Sequence, residues 1–322
     1  MNADPWSVYD LIRRQVREGI AVDQLVLGLT WTYCLAEGGI GFAQSPGVAS
    51  RLLEFPGTMA GREAAAVAGW LTSWDPFEAT IGLAAANAVI NGPANSLMAQ
   101  AQQLTGPAPA NLAVFEYFRP RLVGRKVVVI GRYPGLDAVL DGLDVSVIER
   151  QPGPGDLPDP SAELLIPQAD WVFLTATSLI NKTFPRLSEL ARNAVTVLMG
   201  PSTPWLDGLS DFGVDFLAGV IPVNAAIAAR IAGEGGGTRL FGEGVCYAVA
   251  DIGAQTVAAL KDRIADIAMR RTAMRRDMDA WYEQGNRKRF PRHAELEDLT
   301  AQLAQLDTAY KRQWDARNRA QS

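Results

Sequence analysis

The chain has 322 residues, of which 48% are hydrophobic and 20% charged, a composition that predicts about two globular domains with substantial cores. Its two cysteines, Cys34 and Cys246, are far apart in sequence, which argues against a disulfide framework and fits a reducing cytoplasm. Because the sequence has only one histidine, His293, zinc sites of the usual Cys/His spacing are excluded. The net charge is −5, no apolar run is long enough to cross a bilayer, and the first ten residues lack a signal-peptide pattern, so we expect a cytoplasmic protein without membrane contact.

Residues 1–111 have the pattern of a small α+β domain. An amphipathic helix, WSVYDLIRRQVREG, precedes strand-like sequence, DQLVLGLTWTYCLAE, and a turn at Gly38 leads into IGFA, which completes a hairpin. Two Ala-rich helices follow, GREAAAVAGWLTS and DPFEATIGLAAANAVIN, and in the second we expect Asp75 as the N-cap with Pro76 in the first turn. The segment QLTGPAPANL, rich in Pro and Gly, predicts a linker to the next domain.

Residues 112–253 predict a Rossmann-like α/β domain. Six strands are expected, with the sequences KVVVIG, DVSVIE, DWVFLTAT, AVTVLMG, GVDFLAG and GVCYAVA. Helical stretches such as FPRLSELARN and NAAIAARIAGEG separate several of them. Near-continuous Val, Ile and Leu in strands that alternate with helices is typical of a parallel sheet covered on both faces. The predicted fold class is therefore α/β, with a parallel sheet after a small α+β domain.

Residues 254–322 predict an αα-hairpin. Apolar residues recur every three or four positions from Val257 to Trp281 and from Leu296 to Tyr310, on either side of the loop QGNRKRFPR. This apolar seam must be covered by the two helices, by the α/β domain or by another subunit. Residues 255–322 carry 14 Lys/Arg against 10 Asp/Glu, so we expect a homo-oligomer or an acidic protein partner bound through 255–320. The pI of about 5.1 argues against nucleic acid.

Short polar side chains stand where two strands of the predicted sheet end. Thr177 is the last residue of DWVFLTAT, and Asn181 follows four residues later. Ser202 and Thr203 follow AVTVLMG within GPSTPW. Because ligands bind outside the carboxyl ends of parallel strands, we expect both groups at one mouth of the fold. Hydroxyl and amide groups suit an anionic or oxygen-rich ligand. The structural alternatives are helix capping for the first group and an ordinary turn for the second.

The first turn of the α/β domain departs from the dinucleotide-binding pattern. After KVVVI the sequence reads Gly131-Arg-Tyr133-Pro134, so the second glycine is missing and the proline lacks an amide donor, which argues against NAD. Glu149 ends the second strand, where an acid commonly binds a ribose diol. It could therefore serve a nucleoside such as S-adenosylmethionine, or pair with Arg150 or Arg132 as a structural residue.

The N-terminal domain offers two amides and one acid as further candidates. Asn87 and Asn91 lie one helical turn apart and so share a face, which either lines a cleft or ties the helix to the hairpin. Glu37 precedes the hairpin turn and is the acidic candidate from this domain. We predict that one of the two amides meets Ser202 and Thr177 at a cleft between the domains.

Several longer motifs carry a family resemblance: GDLPD (155–159), LTATSLINKT (174–183), LMGPSTPW (198–205), FGVDFLAG (212–219) and GEGGGTRLF (233–241). With them the chain resembles the heavy-metal-chelation family of Rossmann-like proteins. LGLTWTYCLAEGGIGFA and IGLAAANAVIN resemble the enolase N-terminal-like domain that many of its members carry. The resemblance implies a site in the cleft between the two domains and a role in handling metals or metal chelates.

Three functional hypotheses remain open from the sequence. In the first, the two domains bind a metal ion, a metal chelate or a small anionic ligand. In the second, the protein is an enzyme with a nucleoside cofactor, and S-adenosylmethionine fits better than NAD. In the third, the chain is a scaffold that acts through its C-terminal helices. No catalytic residue is assigned, because the sequence offers no Ser-His-Asp or Cys-His arrangement.

Overall fold

The computed structural model describes residues 4–48, 59–106 and 109–318, and in these ranges the protein is a mixed α/β structure with a pair of long C-terminal helices. A small antiparallel sheet comes first and a larger, mainly parallel sheet follows. The predicted fold class is thereby confirmed. The predicted linker includes residues 107 and 108, which lie outside the described ranges, and the boundaries 1–111, 112–253 and 254–322 stay predictions.

The small sheet consists of three antiparallel strands in the order β1-β2-β3. They are β1 (Val22–Val26), β2 (Trp31–Ala36) and β3 (Gly39–Gln44). The β2–β3 turn has positive φ at Glu37 (49°) and Gly38 (74°), a conformation that glycine adopts without steric cost. Trp31 pairs with Gln44 at the other end of this hairpin. The turn and Gln44 therefore lie at opposite ends of β3.

One buried helix, Pro76–Ile90, packs on the small sheet. The Asp75 carboxylate accepts bonds from two backbone N–H groups of the first turn, at 2.8 and 3.1 Å, and the expected N-cap is present. The helix approaches β3 so closely that a Cβ atom on Gly41 would lie 2.1 Å from the Ala88 nitrogen. Glycine at this position is what allows the helix and the sheet to touch.

The large sheet has eight strands in the order β4-β11-β10-β9-β8-β5-β6-β7. They are β4 (Gln102–Gln103), β5 (Lys126–Ile130), β6 (Asp144–Glu149), β7 (Leu157–Pro158), β8 (Trp171–Thr175), β9 (Val195–Met199), β10 (Phe216–Pro222) and β11 (Val245–Asp251). Strands β5 to β10 are parallel to one another, whereas β11 and β4 are antiparallel additions. The order reverses between β5 and β8, where doubly wound sheets bind their ligands.

Helices cover both faces of the large sheet. The α-helices of the described ranges are α1 (Ser7–Arg14), α2 (Ala64–Ala68), α3 (Pro76–Ile90), α4 (Ser96–Gln100), α5 (Ala113–Leu122), α6 (Leu136–Val139), α7 (Ala162–Leu165), α8 (Thr177–Ile180), α9 (Phe184–Leu190), α10 (Ala225–Gly233), α11 (Ala254–Glu283) and α12 (His293–Asn318). Short 3₁₀ turns span Gly69–Thr72, Ala110–Leu112, Asp159–Ser161, Ile166–Gln168, Asp207–Phe212 and Gly237–Arg239, and a π-turn spans Leu240–Gly244. One core lies on the face of α5, and the other joins the α9 face to the N-terminal domain.

The C-terminal helices α11 and α12 form the predicted antiparallel hairpin. Their seam buries apolar side chains from both helices and from the connecting loop: Ile267, Met274, Phe290, Leu296, Leu299 and Leu303. The helices thus cover this seam by packing on each other, which is one of the alternatives the sequence left open. Self-association and an acidic partner stay predictions. Within the described ranges, no helix combines the length and the apolar character needed to span a membrane.

The last turns of α12 dock on the amino-terminal edge of the large sheet. Arg317 forms an ion pair with Asp251 at 2.7 Å and lies 3.6 Å from Asp215, while Gln313 donates to the Asp215 carboxylate at 3.0 Å. Arg312 pairs with Asp170 at 3.0 Å, just before β8. This edge is opposite the carboxyl ends of the parallel strands, so the hairpin is anchored away from the predicted site.

Candidate functional site

A cavity of about 740 Å³ opens at the carboxyl edge of the large sheet, where the strand order reverses between β5 and β8. The ends of β5, β6, β8 and β9 form its floor, and β2 and β3 of the N-terminal domain form part of its wall. Four of the eight predicted site residues line it: Glu149, Thr177, Asn181 and Ser202. Parallel strands end at a common edge, which explains why residues far apart in sequence meet here.

Gln44, at the end of β3, joins the two domains across this cavity. Its backbone nitrogen donates to Ser202 Oγ at 2.9 Å, and its Oε1 accepts from Thr177 Oγ1 at 2.7 Å. Gln44 itself lines the cavity. Gln44 was not among the residues predicted from the sequence, although a lone polar side chain that ends the buried strand GIGFAQ was an available signal.

Some of the polar groups after β8 form local turn bonds, and others face the cavity. Ser178 Oγ donates to the Thr175 carbonyl at 2.6 Å, which is a local turn bond. Thr175 Oγ1 donates to Thr177 Oγ1 at 3.1 Å, so the Thr177 hydroxyl is oriented toward Gln44. Asn181 Oδ1 accepts from Thr183 N and Oγ1, at 3.1 and 2.6 Å. Its oxygen is thus used in the turn, and its amide nitrogen is the group available to a ligand.

Asn87 and Asn91 hold the loop 200–205 from behind and do not line the cavity. Asn87 Nδ2 donates to the carbonyls of Phe42 and Ser202, at 2.9 and 3.0 Å. Asn91 Nδ2 donates to the Thr203 carbonyl at 3.0 Å, and its Oδ1 accepts from the Trp205 nitrogen at 2.9 Å. The shared helical face therefore meets Ser202, as expected, but through the backbone of the loop.

Thr203 and Glu37 also lie outside the cavity. Thr203 is 1% exposed and sits in the contact with the N-terminal domain. Glu37 is exposed at the hairpin turn, where it pairs with Arg17 at 2.6 Å. It is remote from the cavity because an antiparallel hairpin places its turn and the far end of its strands, where Gln44 lies, at opposite ends.

Glu149 lines the cavity, but its carboxylate is bonded to nearby backbone. Oε2 accepts from the Arg132 nitrogen at 2.9 Å and Oε1 from the Arg150 nitrogen at 2.7 Å. The Arg132 side chain pairs with Asp156 at 3.1 Å and also with Asp137. Glu149 thus fixes the turn after β5, which is close to the structural alternative considered from the sequence.

Lys182 differs from the other cationic side chains that line the cavity. Arg186 pairs with Glu163 at 2.5 Å, and the remaining arginines at the cavity also have carboxylate partners. Lys182 Nζ instead donates to the Ile180 carbonyl at 2.8 Å and lies 5.8 Å from the centroid of the Tyr9 ring. Burial lowers the pKa of Lys182 to about 8.

The backbone at Lys182 is also unusual, with φ of 64°. A non-glycine residue in this region costs free energy and is worth attention where it borders a cavity. Lys182 belongs to the motif LTATSLINKT but was not among the residues predicted from the sequence. A lysine in a motif rich in hydroxyls and amides was the signal that could have identified it.

The side chains at the cavity do not form a metal-binding cluster of the usual kind. In the part of the chain that the structure describes, no group of three or more His, Cys, Asp and Glu side chains is placed to hold a metal ion. Of the three carboxylates that line the cavity, Asp159 and Glu163 pair with arginines, and Glu149 accepts from backbone N–H groups. The donor set therefore consists of hydroxyls, amides and one amine, which bind ligand oxygens better than bare metal ions.

Comparisons with known proteins agree with the fold. Two family descriptions match, DUF4213 over residues 9–90 and DUF364 over residues 113–251, and both read "Putative heavy-metal chelation". A solved DUF364-family protein of unknown function from Desulfitobacterium hafniense is 30% identical, with a TM-score of 0.67, covering 77% of this chain and 98% of its own. A second one, from Pyrococcus horikoshii, has the same fold at 20% identity, with a TM-score of 0.63, over 78% of this chain and 100% of its own.

A curated relative matches part of the chain. It is an uncharacterized protein of Methanocaldococcus jannaschii, 30% identical over 166 residues. The match covers 48% of this chain and 60% of that protein, so the chain spans less than two thirds of the relative's length.

Proposed function

This chain belongs to the DUF364 family, and from that premise we propose that the cavity between its two domains binds a small metal chelate or another oxygen-rich anionic ligand. The observation that carries the proposal is the joint wall of Gln44, Thr177 and Ser202. Both domains supply part of this wall, so a ligand held there would contact both. A volume of about 740 Å³ suits a small organic molecule or its metal complex.

The chemistry of the cavity favours a chelate over a bare ion. Hard cations prefer several carboxylate or carbonyl oxygens, and softer ones prefer thiolate or imidazole. Of the carboxylates that line the cavity, Asp159 and Glu163 pair with arginines and Glu149 accepts from two backbone N–H groups, and the described residues offer no cluster of three metal-binding side chains. In a chelate the organic part supplies the metal ligands. The protein then needs donors for the chelator's oxygens, which Asn181, Ser202 and Lys182 can provide, while Thr177 donates its proton to Gln44 and holds that side chain in the wall.

A nucleoside-cofactor enzyme has less support. Both oxygens of Glu149 already accept backbone N–H bonds, which leaves the carboxylate a weaker partner for a ribose diol. Pro134 removes an amide from the turn that would otherwise face a pyrophosphate. A scaffold that acted only through the C-terminal hairpin would give the cavity no role.

The first test measures ligand binding to the full chain by melting-temperature shift and calorimetry. The probes are citrate, iminodiacetate and pyridine-2,6-dicarboxylate, each alone and as its Zn(II) complex, together with free Zn(II) and S-adenosylmethionine. A ligand at 100 times its Kd should stabilise the fold by about 2.7 kcal/mol. We expect at least one chelate to bind more tightly than free Zn(II). Binding of S-adenosylmethionine alone, or of no chelate, would contradict the proposal.

The second test removes one hydroxyl from the joint wall. Thr177→Val should weaken binding of the best chelate about tenfold, because it removes the hydroxyl and its bond to Gln44. Thr177→Ser keeps the hydroxyl and should restore most of the affinity. Thr272→Val is the matched control, since Thr272 is an exposed residue of α11. Equal affinity in Thr177→Val and Thr272→Val would show that the wall does not bind the ligand.

A further inference from the structure

One side of the cavity is aromatic. Trp31 from β2, Tyr133 from the turn after β5, Phe241 from the π-turn and Tyr247 from β11 all line it, and we call these four residues the aromatic lobe. Phe241 and Tyr247 stack with ring centroids 5.0 Å apart and an interplanar angle of 16°. Trp31 meets Phe241 edge-on, at 6.3 Å and 87°. Trp31 and Tyr133 are partly exposed, whereas Phe241 and Tyr247 are only 7% and 2% exposed, so a flat apolar ligand group would lie against Trp31 and the exposed part of Phe241.

The aromatic lobe continues the core on the α5 face of the large sheet. Phe241 and Tyr247 belong to the core on the α5 face, and Trp31 packs against that same core. Leu187, which also lines the cavity, belongs to the core on the α9 face. Trp31 is held in place because its Nε1 donates to the Gly237 carbonyl at 2.9 Å. The cavity therefore offers rings next to polar groups, since Trp31 pairs with Gln44 and Tyr133 lies beside Thr175.

Tyr133 carries an unused polar group into this lobe. Its hydroxyl is buried and makes no well-aligned hydrogen bond with any residue in the described ranges, but Thr175 is close enough for a weak polar contact that lowers the pKa of Tyr133. Burial raises the pKa of Tyr133 well above its usual value, so the hydroxyl is a proton donor at neutral pH. A buried donor without an acceptor is costly, and a ligand acceptor at this point would remove that cost.

We propose that the ligand carries a planar aromatic or heteroaromatic ring, which lies against Phe241 and Trp31, with an acceptor atom on or beside the ring bonded to the Tyr133 hydroxyl. Its anionic oxygens extend toward Asn181, Ser202 and Lys182. This inference rests on the proposed function and narrows it. It selects aromatic chelators over aliphatic hydroxy- or amino-carboxylates.

The test compares two chelators with the same donor atoms. Pyridine-2,6-dicarboxylate and iminodiacetate each offer one nitrogen and two carboxylates, and the ring is the main difference between them. Kd values are measured by calorimetry on the full chain with both Zn(II) complexes. We expect the pyridine complex to bind at least about tenfold more tightly, in line with the contribution of ring stacking.

Two variants locate the source of that preference. Tyr133→Phe keeps the ring and removes the hydroxyl, and it should weaken the pyridine complex about five- to tenfold. The melting temperature of the ligand-free variant should be nearly unchanged, because within the described ranges only the weak contact with Thr175 is lost. Phe241→Leu keeps an apolar side chain and should reduce the preference for the ring to about threefold or less. Tyr310→Phe, on α12, is the matched control for the loss of a hydroxyl.

The outcomes separate this inference from the proposed function. If the aliphatic and aromatic complexes bind equally well, the aromatic preference is wrong while chelate binding stands. If Tyr133→Phe binds the pyridine complex as tightly as the wild type, the role of its hydroxyl is wrong even where the ring preference holds. If no chelate binds in any assay, the proposed function fails and the inference fails with it. Circular dichroism of Phe241→Leu identifies a folding defect, in which case the two chelators on the wild type decide the ring preference and Tyr133→Phe decides the role of the hydroxyl.

Discussion

Replacing Asn91 with leucine should destabilise the protein by about 2–6 kcal/mol. The Asn91 amide is 6% exposed, donates to the Thr203 carbonyl at 3.0 Å and accepts from the Trp205 nitrogen at 2.9 Å. Leucine has a similar shape but no polar atoms, so the substitution leaves a buried carbonyl and a buried N–H unpaired, at about 1–3 kcal/mol each. This is a large part of a typical unfolding free energy of about 5–15 kcal/mol.

Urea denaturation followed by circular dichroism measures the effect. With a slope of about 3 kcal/mol per molar urea, the midpoint should fall by about 0.7–2 M. Asn193→Leu is the control, because Asn193 is exposed and its substitution should change stability by less than about 0.5 kcal/mol. A midpoint for Asn91→Leu as close to the wild type as that of the control would refute the reasoning. The loop 200–205 would then keep its conformation without the amide.

Two further predictions concern pH. Burial raises the pKa of Asp215 from an ordinary value of 3.8 to about 6. Hydrogen bonds from Gln313 and the Thr196 nitrogen and the charge of Arg317 lower this pKa, but by less than burial raises it. The folded state therefore holds this proton more tightly than the unfolded chain. The unfolding free energy should fall by about 3 kcal/mol as pH rises from about 4 to 6. Urea midpoints of wild type and Asp215→Asn test this, and parallel pH profiles would contradict it. Separately, because the pKa of Lys182 is lowered to about 8, an anionic chelate should bind less tightly above pH 8 than at pH 7. Calorimetry on Lys182→Met should show no such loss, and an unchanged pH dependence would show that this amine does not meet the ligand.

Much of the local structure could be predicted from the sequence, because a single residue often determines a helix end or a turn. Asp75 caps its helix as expected, since a carboxylate two residues before free N–H groups bonds them wherever the helix is placed. Gly38 takes the left-handed turn between the hairpin strands. Thr177 and Ser202 line one cavity because the end of a parallel strand is set by the strand itself.

The partners of several candidates could not be read from local patterns. Gln44 is 133 residues from Thr177 and 158 from Ser202, and nothing in its neighbourhood encodes either contact. Glu149 could bind a ribose or a backbone amide with the same carboxylate, and only the turn beside it decides between them. Asn87 likewise could line a cleft or fasten its helix to a neighbouring segment. The packing of α3 on the loop 200–205 supports the second interpretation.

By itself, then, the sequence determined which segments form helices and strands, and that short polar side chains collect at one edge of the parallel sheet. Those properties follow from periodicity and backbone preference, which act over a few residues. Only the tertiary structure decided which of these side chains face the cavity, which lie behind its wall and which rings complete it. Helical periodicity shows that Asn87 and Asn91 share a face, but not what that face contacts. The packing of the helix on the rest of the fold decides whether Asn91 lines the cavity or binds the loop behind it.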